Sequence, residues 1–285
     1  MMNKFQKFEY SNDDRGVTPF ETFQRYSNEK QQTSIKIAEI INSFRTHPVS
    51  LLDVGAGDGL LTQLYLSKIE SVPQKITLIE PSVDLINKLR LNLSQFDGLS
   101  TINILNERFQ EYATDQKFDV IIASHVPFTG DTGMETLPSI YMKLLSLLDY
   151  NGVLILIQRA NDDIHSFREK FKSILNGRIY NSYAINDAQN VFGNVVADDP
   201  LNHITIYHAS SELLFPKDNQ HDRIAIIEFL LNTKWNQIQR DVKAQINDYL
   251  AVRNNRLGQS DGILVFSQEI ENPPPNREGG VSERS

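Results

Sequence analysis

Apolar positions along the chain change their period near residue 50. Between Phe20 and Phe44, the residues Phe20, Phe23, Tyr26, Ile37, Ala38, Ile41 and Phe44 recur at helical spacing, divided by the polar run SNEKQQTS. This predicts two helices joined near residue 30. Pro48 ends the second, since it lacks a donor and disfavours helix in the residue before it. After it, short apolar runs alternate with helical ones: SLLDV (50–54), ITLIE (76–80), TINIL (101–105), DVIIAS (119–124) and GVLILIQ (152–158) are separated by LLTQLYLSKIE, VDLINKLRLNL and SIYMKLLSLL. Near-continuous apolar strands spaced by helices predict a parallel sheet covered on both faces, with right-handed crossovers.

Past residue 160 the alternation loosens. Helical patterns cover 163–175, 186–193, 222–232 and 235–253, while LNHITIYHA (201–209) and GILVFSQEI (262–270) supply two further strands. The expected fold class is α/β: a doubly wound, mostly parallel sheet of seven strands with an antiparallel edge, topped by a helical cap at 222–253. The expected organisation is an N-terminal helical lid (1–48), a cofactor-binding core (49–160), and a remainder (161–271) that holds the last two strands and the inserted cap. The tail 272–285, within NPPPNREGGVSERS, contains no core former and reads as disordered.

Composition then narrows the classes of function. A net charge of -8 opposes binding to polyphosphates, so nucleic acid is disfavoured as a partner. With no cysteine, neither a disulfide framework nor a thiolate metal site can form. The six histidines show no HxxxH or HExxH spacing, and no metal is predicted. The N-terminal MMNKFQKFEYSNDDRG is no signal peptide, and the longest apolar run, VLILI (153–157), is too short to span a bilayer. A cytoplasmic location without membrane contact is expected; nothing bears on oligomeric state.

The candidate chemistry begins at LLDVGAGDGLLT (51–62), where the first strand turns into a helix. Gly55, Gly57 and Gly59 allow a tight turn and close approach of a ligand to bare backbone, with helix amides facing it. A dinucleotide fingerprint would need glycine at position 60, which is Leu60, and a phosphate loop would need a GK[ST] that is absent. Glu80 ends the second strand in TLIEPS, where a carboxylate can accept two ribose hydroxyls.

On Asp53-Val54-Gly55-Ala56-Gly57-Asp58-Gly59 and Glu80, the chain resembles the class I S-adenosylmethionine-dependent methyltransferases. The resemblance implies a Rossmann-like fold and S-adenosylmethionine as cofactor, held by Asp53, Gly55, Ala56, Gly57, Glu80 and Pro81. It puts Arg108 and Phe109 of NERFQEY at the adenine edge, with Glu107 or Gln110 as substitutes for Arg108, which has no acceptor to offer an amino group. In FDVIIASHVPF (118–128) it puts Ser124 beside the cofactor and His125 beside the acceptor.

ETFQRYSNEKQQ, IEPS and the closing cap-then-strand arrangement are similar to the histamine N-methyltransferase group of small-molecule enzymes. That likeness implies an acceptor held by three polar positions: a carboxylate near Glu29 to Gln32, His125 in place of a glutamine, and Ser260 or Asp261 before the last strand. Phe20, Tyr26, Phe128 and Trp235 are candidate pocket aromatics; ordinary core packing is the competing reading of each. The implied function is in-line methyl transfer to a nitrogen or oxygen of a small acceptor, with His125 as positioner or base. Two rivals stand beside it: a non-catalytic partner protein that keeps the cofactor pocket, and an aminopropyltransferase. The latter carries aspartates after strand four, where this chain reads SHVPF.

Overall fold

Two helices open the fold, α1 (Pro19–Tyr26) and α2 (Glu29–Phe44). Helix α1 starts where it does because Thr18 Oγ1 accepts from Glu21 N at 3.0 Å while Glu21 Oε2 accepts from Thr18 N at 2.8 Å. This reciprocal cap, with Pro19 in the first turn, satisfies otherwise orphaned amides. The computed structural model describes residues 16–44, 47–126, 137–175, 185–196 and 202–268. Phe128 and the 272–285 tail lie outside the described residues.

The alternation that follows is β1 (Ser50–Val54), α3 (Leu60–Leu66), β2 (Lys75–Ile79), α4 (Val83–Leu93), β3 (Thr101–Leu105), β4 (Phe118–Ser124), α5 (Leu137–Leu147) and β5 (Leu148–Arg159). It closes with α6 (Asp163–Lys170), α7 (Ile185–Val196), β6 (Asn202–Leu214), α8 (Gln220–Leu231), α9 (Arg240–Ala251) and β7 (Arg256–Gln268). One seven-stranded sheet results, in the order β3-β2-β1-β4-β5-β7-β6. The first five strands pair in parallel, and β7 runs antiparallel to both β5 and β6. The order reverses between β1 and β4, so the crevice for a ligand opens at the carboxyl ends of those two strands.

Each face of the sheet buries its own apolar layer. One is built from α5 and α7 against Leu52, Ile121, Leu154 and Leu264; the other from α2, α3 and α4 against Leu51, Val120, Ile155 and Ile263. Ile37 and Ile41 of α2 have no exposed surface, so α2 packs as a layer of the core. A third cluster joins Phe23 of α1 to Ile226, Leu230, Ile246 and Leu250 of α8 and α9. Among the described residues no helix is long and apolar enough to cross a membrane.

The last two strands are longer than their apolar runs implied. Leu213 pairs with Leu257 and Ala209 with Asp261, so the ladder continues well beyond residues 201–209 and 262–270. The polar stretch LGQSD hides this part of β7: Leu257, Gln259 and Asp261 face inward and are buried, with the residues between them less so. Asp261 therefore sits within the last strand, not ahead of it, and its side chain is held by regular sheet backbone.

Candidate active site

The glycine loop crosses from β1 to α3 with all three glycines in the left-handed region, at φ 72°, 60° and 77°. Their reasons differ. A Cβ on Gly55 would lie 2.7 Å from Val126 Cγ2, and one on Gly59 would lie 2.4 Å from Leu89 Cδ1, so both are also packing glycines. A Cβ on Gly57 would meet nothing within 4 Å. Gly57 thus leaves a bare, open stretch of backbone at the tip of the turn, suited to close approach by a ligand.

Glu80 stands beside that tip. Its Oε2 accepts from Gly57 N at 2.9 Å and its Oε1 accepts from Ser82 N at 2.8 Å, leaving a lone pair on each oxygen for a diol. Burial raises the Glu80 carboxyl, and the two amides work in the opposite direction. Asn106 fixes the end of the strand, donating to Glu80 O at 3.2 Å and Pro81 O at 3.0 Å, while Pro81 itself is exposed. Open backbone at Gly57 and a two-pronged carboxylate at Glu80 fit the ribose and main-chain contacts of a nucleoside cofactor.

Asp53 lies beneath the loop and is buried. Its Oδ2 accepts from Thr62 Oγ1 at 2.6 Å and Tyr65 OH at 2.9 Å, tying β1 to α3. Burial pushes this carboxyl up to about 6, against the pull of the two hydroxyls and with the help of the Glu80 charge. In the loop after β3, the side chain of Arg108 is exposed and its carbonyl accepts from Glu111 N and Tyr112 N. The Phe109 ring is buried in the core under Lys143 Nζ, 4.9 Å from its centroid, so only the backbone of this residue can serve a ligand edge.

A second polar cluster sits past the ends of β4 and β5. His125 has φ 52°, an uncommon conformation outside glycine, and donates its amide to Ile157 O at 2.9 Å. Its Nε2 is 3.2 Å from Asp261 Oδ1 and 3.5 Å from Glu29 Oε1, with about a third of the side chain exposed (34%). Burial opposes protonation of the imidazole, but Asp261 and then Glu29 outweigh it and raise the His125 pKa. For Asp261, burial would raise the carboxyl, yet His125, Arg159 and Thr33 hold it below its ordinary value.

The cluster is braced by Arg159, Gln259 and Thr33. Arg159, at the end of β5, pairs with Glu29 Oε2 and with Asp162 Oδ2 at 3.2 Å. Gln259 Nε2 donates to Glu29 Oε2 at 2.9 Å, and Gln259 Oε1 accepts from Ser27 Oγ at 2.6 Å. Thr33 Oγ1 donates to Asp261 Oδ2 at 2.6 Å. The cluster also adjoins the loop on both sides: Lys30 Nζ reaches Asp58 Oδ1 at 2.9 Å, and Val126 packs under Gly55.

Residues 18–183 match a family described as methyltransferase domain, more than half of the chain. The chain belongs to this methyltransferase family. The fold of this methyltransferase recurs in solved structures of low identity. The plantazolicin methyltransferase BpumL, in complex with a triazolic desmethylPZN analog and SAH, is 13% identical, with a TM-score of 0.55 over 93% of this chain and 95% of that one. A SAM-dependent methyltransferase from Thiobacillus denitrificans, in complex with S-adenosyl-L-homocysteine, is 14% identical, with a TM-score of 0.51 over 94% and 99%. A putative methyltransferase from Bacillus halodurans C-125 is 10% identical, with a TM-score of 0.52 over 84% and 100%. At such identities these likenesses carry the Rossmann-like methyltransferase fold alone. No curated protein matches the chain.

Of the residues singled out in the sequence, the methyltransferase fold gathers Gly55, Ala56, Gly57 and Glu80 at one end of the crevice. Ser124 sits half-buried at the end of β4, and His125 joins Asp261 at the other end. Between Ser260 and Asp261, it is Asp261 that enters the cluster; Ser260 offers its backbone, with N donating to Asp162 Oδ2 and O accepting from Ala160 N. Phe20, Tyr26 and Trp235 make contacts with the helices at 220–251: Phe20 packs tilted against Phe229, Tyr26 OH donates to Asp222 Oδ2 at 2.9 Å, and Trp235 lies under Lys243 Nζ. Arg159, Gln259 and Thr33 were not foreseen. A lone arginine closing an apolar strand, VLILIQR, was the available signal, because a charge in that place requires a carboxylate partner.

Proposed function

We propose that this methyltransferase uses S-adenosylmethionine and transfers its methyl group to a nitrogen or oxygen of a small-molecule acceptor held at Glu29, His125 and Asp261. The observation that carries the reading is the convergence of those three side chains within hydrogen-bond or ion-pair range, next to the glycine loop. Gly57 and Glu80 hold the nucleoside in this reading, with Pro81, Ser124 and the Phe109 backbone around it and Asp53 supporting the loop from below. When bound, S-adenosylmethionine supplies a methyl carbon already activated by its sulfonium.

The remaining work falls to the protein's own groups: orient a lone pair, remove a proton where required, and keep water out. Orientation alone is worth roughly 7 to 11 kcal/mol of a bimolecular barrier. Three carboxylates, Glu29, Asp261 and Asp162, surround one guanidinium, Arg159, and this excess of negative charge suits an acceptor with a polar or basic head. A hydroxyl acceptor must lose its proton at or before transfer, and His125 is the exposed member of the cluster able to receive it. A neutral amine needs only to be held.

The test is formation of S-adenosylhomocysteine and a methylated product when the full chain meets S-adenosylmethionine and a library of amines, phenols and alcohols. His125→Gln is expected to lower the rate on a hydroxyl acceptor by about 10²- to 10⁴-fold and on an amine by less than about tenfold. Equal losses on both would remove His125 from proton transfer. Tight S-adenosylhomocysteine binding with no turnover across the library would favour a partner protein over an enzyme.

A further inference from the structure

Asp261 Oδ1 has no hydrogen-bond partner although the side chain is only 1% exposed. Leaving a buried carboxylate oxygen unpaired costs free energy, so such an atom points to something that belongs beside it. His125 Nε2 stands 3.2 Å away, an ion-pair partner only when the imidazole is protonated. Glu29 Oε1 lies 3.5 Å from the same nitrogen, and the three atoms all stand within 4.8 Å of one another.

The other oxygen of each carboxylate is clamped. Arg159 and Gln259 hold Glu29 Oε2, and Thr33 holds Asp261 Oδ2, which turns Oε1 and Oδ1 toward the imidazole. Outer hydrogen bonds that fix one oxygen and aim the other are what orient metal-binding carboxylates. Oxygen and nitrogen ligands about 2.0–2.2 Å from one ion stand about 2.8 to 3.6 Å apart between right-angled and tetrahedral geometry, and the two His125–carboxylate separations, 3.2 and 3.5 Å, lie in that range.

We propose that Glu29 Oε1, His125 Nε2 and Asp261 Oδ1 form a site for a divalent first-row transition ion, of the zinc or manganese kind, which accept mixed imidazole and carboxylate ligation. Three protein ligands leave coordination positions open. The role of the ion rests on the acceptor reading above: it would polarise an acceptor oxygen or nitrogen directly and ease loss of its proton, and with the ion bound His125 serves as its ligand in place of acting as the base. Binding of the ion does not rest on that reading. The histidine and two carboxylates come from residues 29, 125 and 261, a set that no local spacing along the chain reveals.

The experiment is calorimetric titration of the EDTA-treated full chain with zinc chloride and with manganese chloride, alongside titration of the same preparation with S-adenosylhomocysteine. One equivalent of at least one of the two metals is expected to bind. Asp261→Asn and Glu29→Gln should weaken it at least tenfold, and Thr33→Val about tenfold through loss of the outer bond, while S-adenosylhomocysteine affinity stays within about twofold. Cobalt(II) on the unmutated chain should shift one histidine imidazole resonance outside the normal proton window, a readout that needs no variant to fold. No saturable metal binding, no such shift, or metal affinity unchanged in both carboxylate variants would overturn the proposal. Failure to bind S-adenosylhomocysteine would instead overturn the functional reading, whatever the metal result.

Discussion

The two ends of the crevice are built by different means. At the glycine loop the ligand-facing groups are backbone and one carboxylate, set by two short contiguous stretches, LLDVGAGDGLLT and TLIEPS. Past β4 and β5 they are side chains delivered by α2, the end of β4, the end of β5 and the middle of β7. Backbone geometry recurs wherever the same turn is made, so the first end suits a cofactor common to many acceptors. Side-chain clusters can be rebuilt one residue at a time, so in the proposed function the second end is the one that chooses an acceptor.

That contrast can be broken from either side. The largest expected effect is on stability at the loop: Gly59→Ala places a methyl 2.4 Å from Leu89 Cδ1 and 3.2 Å from its Cα at a positive φ. It should cost about 2–4 kcal/mol in urea unfolding. Gly57→Ala meets no atom and should cost no more than about 1–2 kcal/mol, while weakening S-adenosylhomocysteine binding. A Gly57 variant as unstable as the Gly59 one would mean that the open tip is not a ligand surface.

Next in size is a pH effect under the loop. Asp53 titrates at about 6 in the folded chain against an ordinary 3.8, so between those values the native state binds more protons than the unfolded one. Its contribution to stability is therefore greatest in acid and falls as pH rises from about 4 to 6, by a few kcal/mol at most. Asp53→Asn should flatten that slope relative to the unmutated chain; parallel curves would show that Asp53 ionises without penalty. Glu80→Gln follows, with an expected loss of about 1.5–3 kcal/mol in S-adenosylhomocysteine affinity by calorimetry, the worth of one charged hydrogen bond. Smallest is Lys30→Met, which removes a partly buried ion pair to Asp58 and should change stability by less than about 1 kcal/mol.

Much of the fold was legible because its signals are local. Apolar runs separated by amphipathic helices state a parallel sheet outright, and the glycine spacing with Glu80 states where its crevice is. The cluster past β4 was legible only in part. His125 and Asp261 could be named by position along the fold, but their meeting depends on β7 extending through LGQSD, where past Leu257 inward and outward residues are all small or polar and the period-two pattern vanishes. Arg159, Gln259 and Thr33 reach the cluster through Glu29 and Asp261, far away in sequence, and no window of residues contains both halves of those pairs. The aromatics Phe20, Tyr26 and Trp235 look alike in sequence whether they line a pocket or hold the cap, and their observed partners Phe229, Asp222 and Lys243 are those of the cap.

The central claim is that one end of the crevice holds the cofactor and the other holds the acceptor. Calorimetry with S-adenosylhomocysteine on the unmutated chain, Glu80→Ala and Asp261→Asn tests it most directly. The account predicts saturable one-site binding that Glu80→Ala weakens at least about thirtyfold, the loss of hydrogen bonds to a charged group, and that Asp261→Asn leaves within about twofold. No binding by the unmutated chain, or equal losses in the two variants, would contradict it.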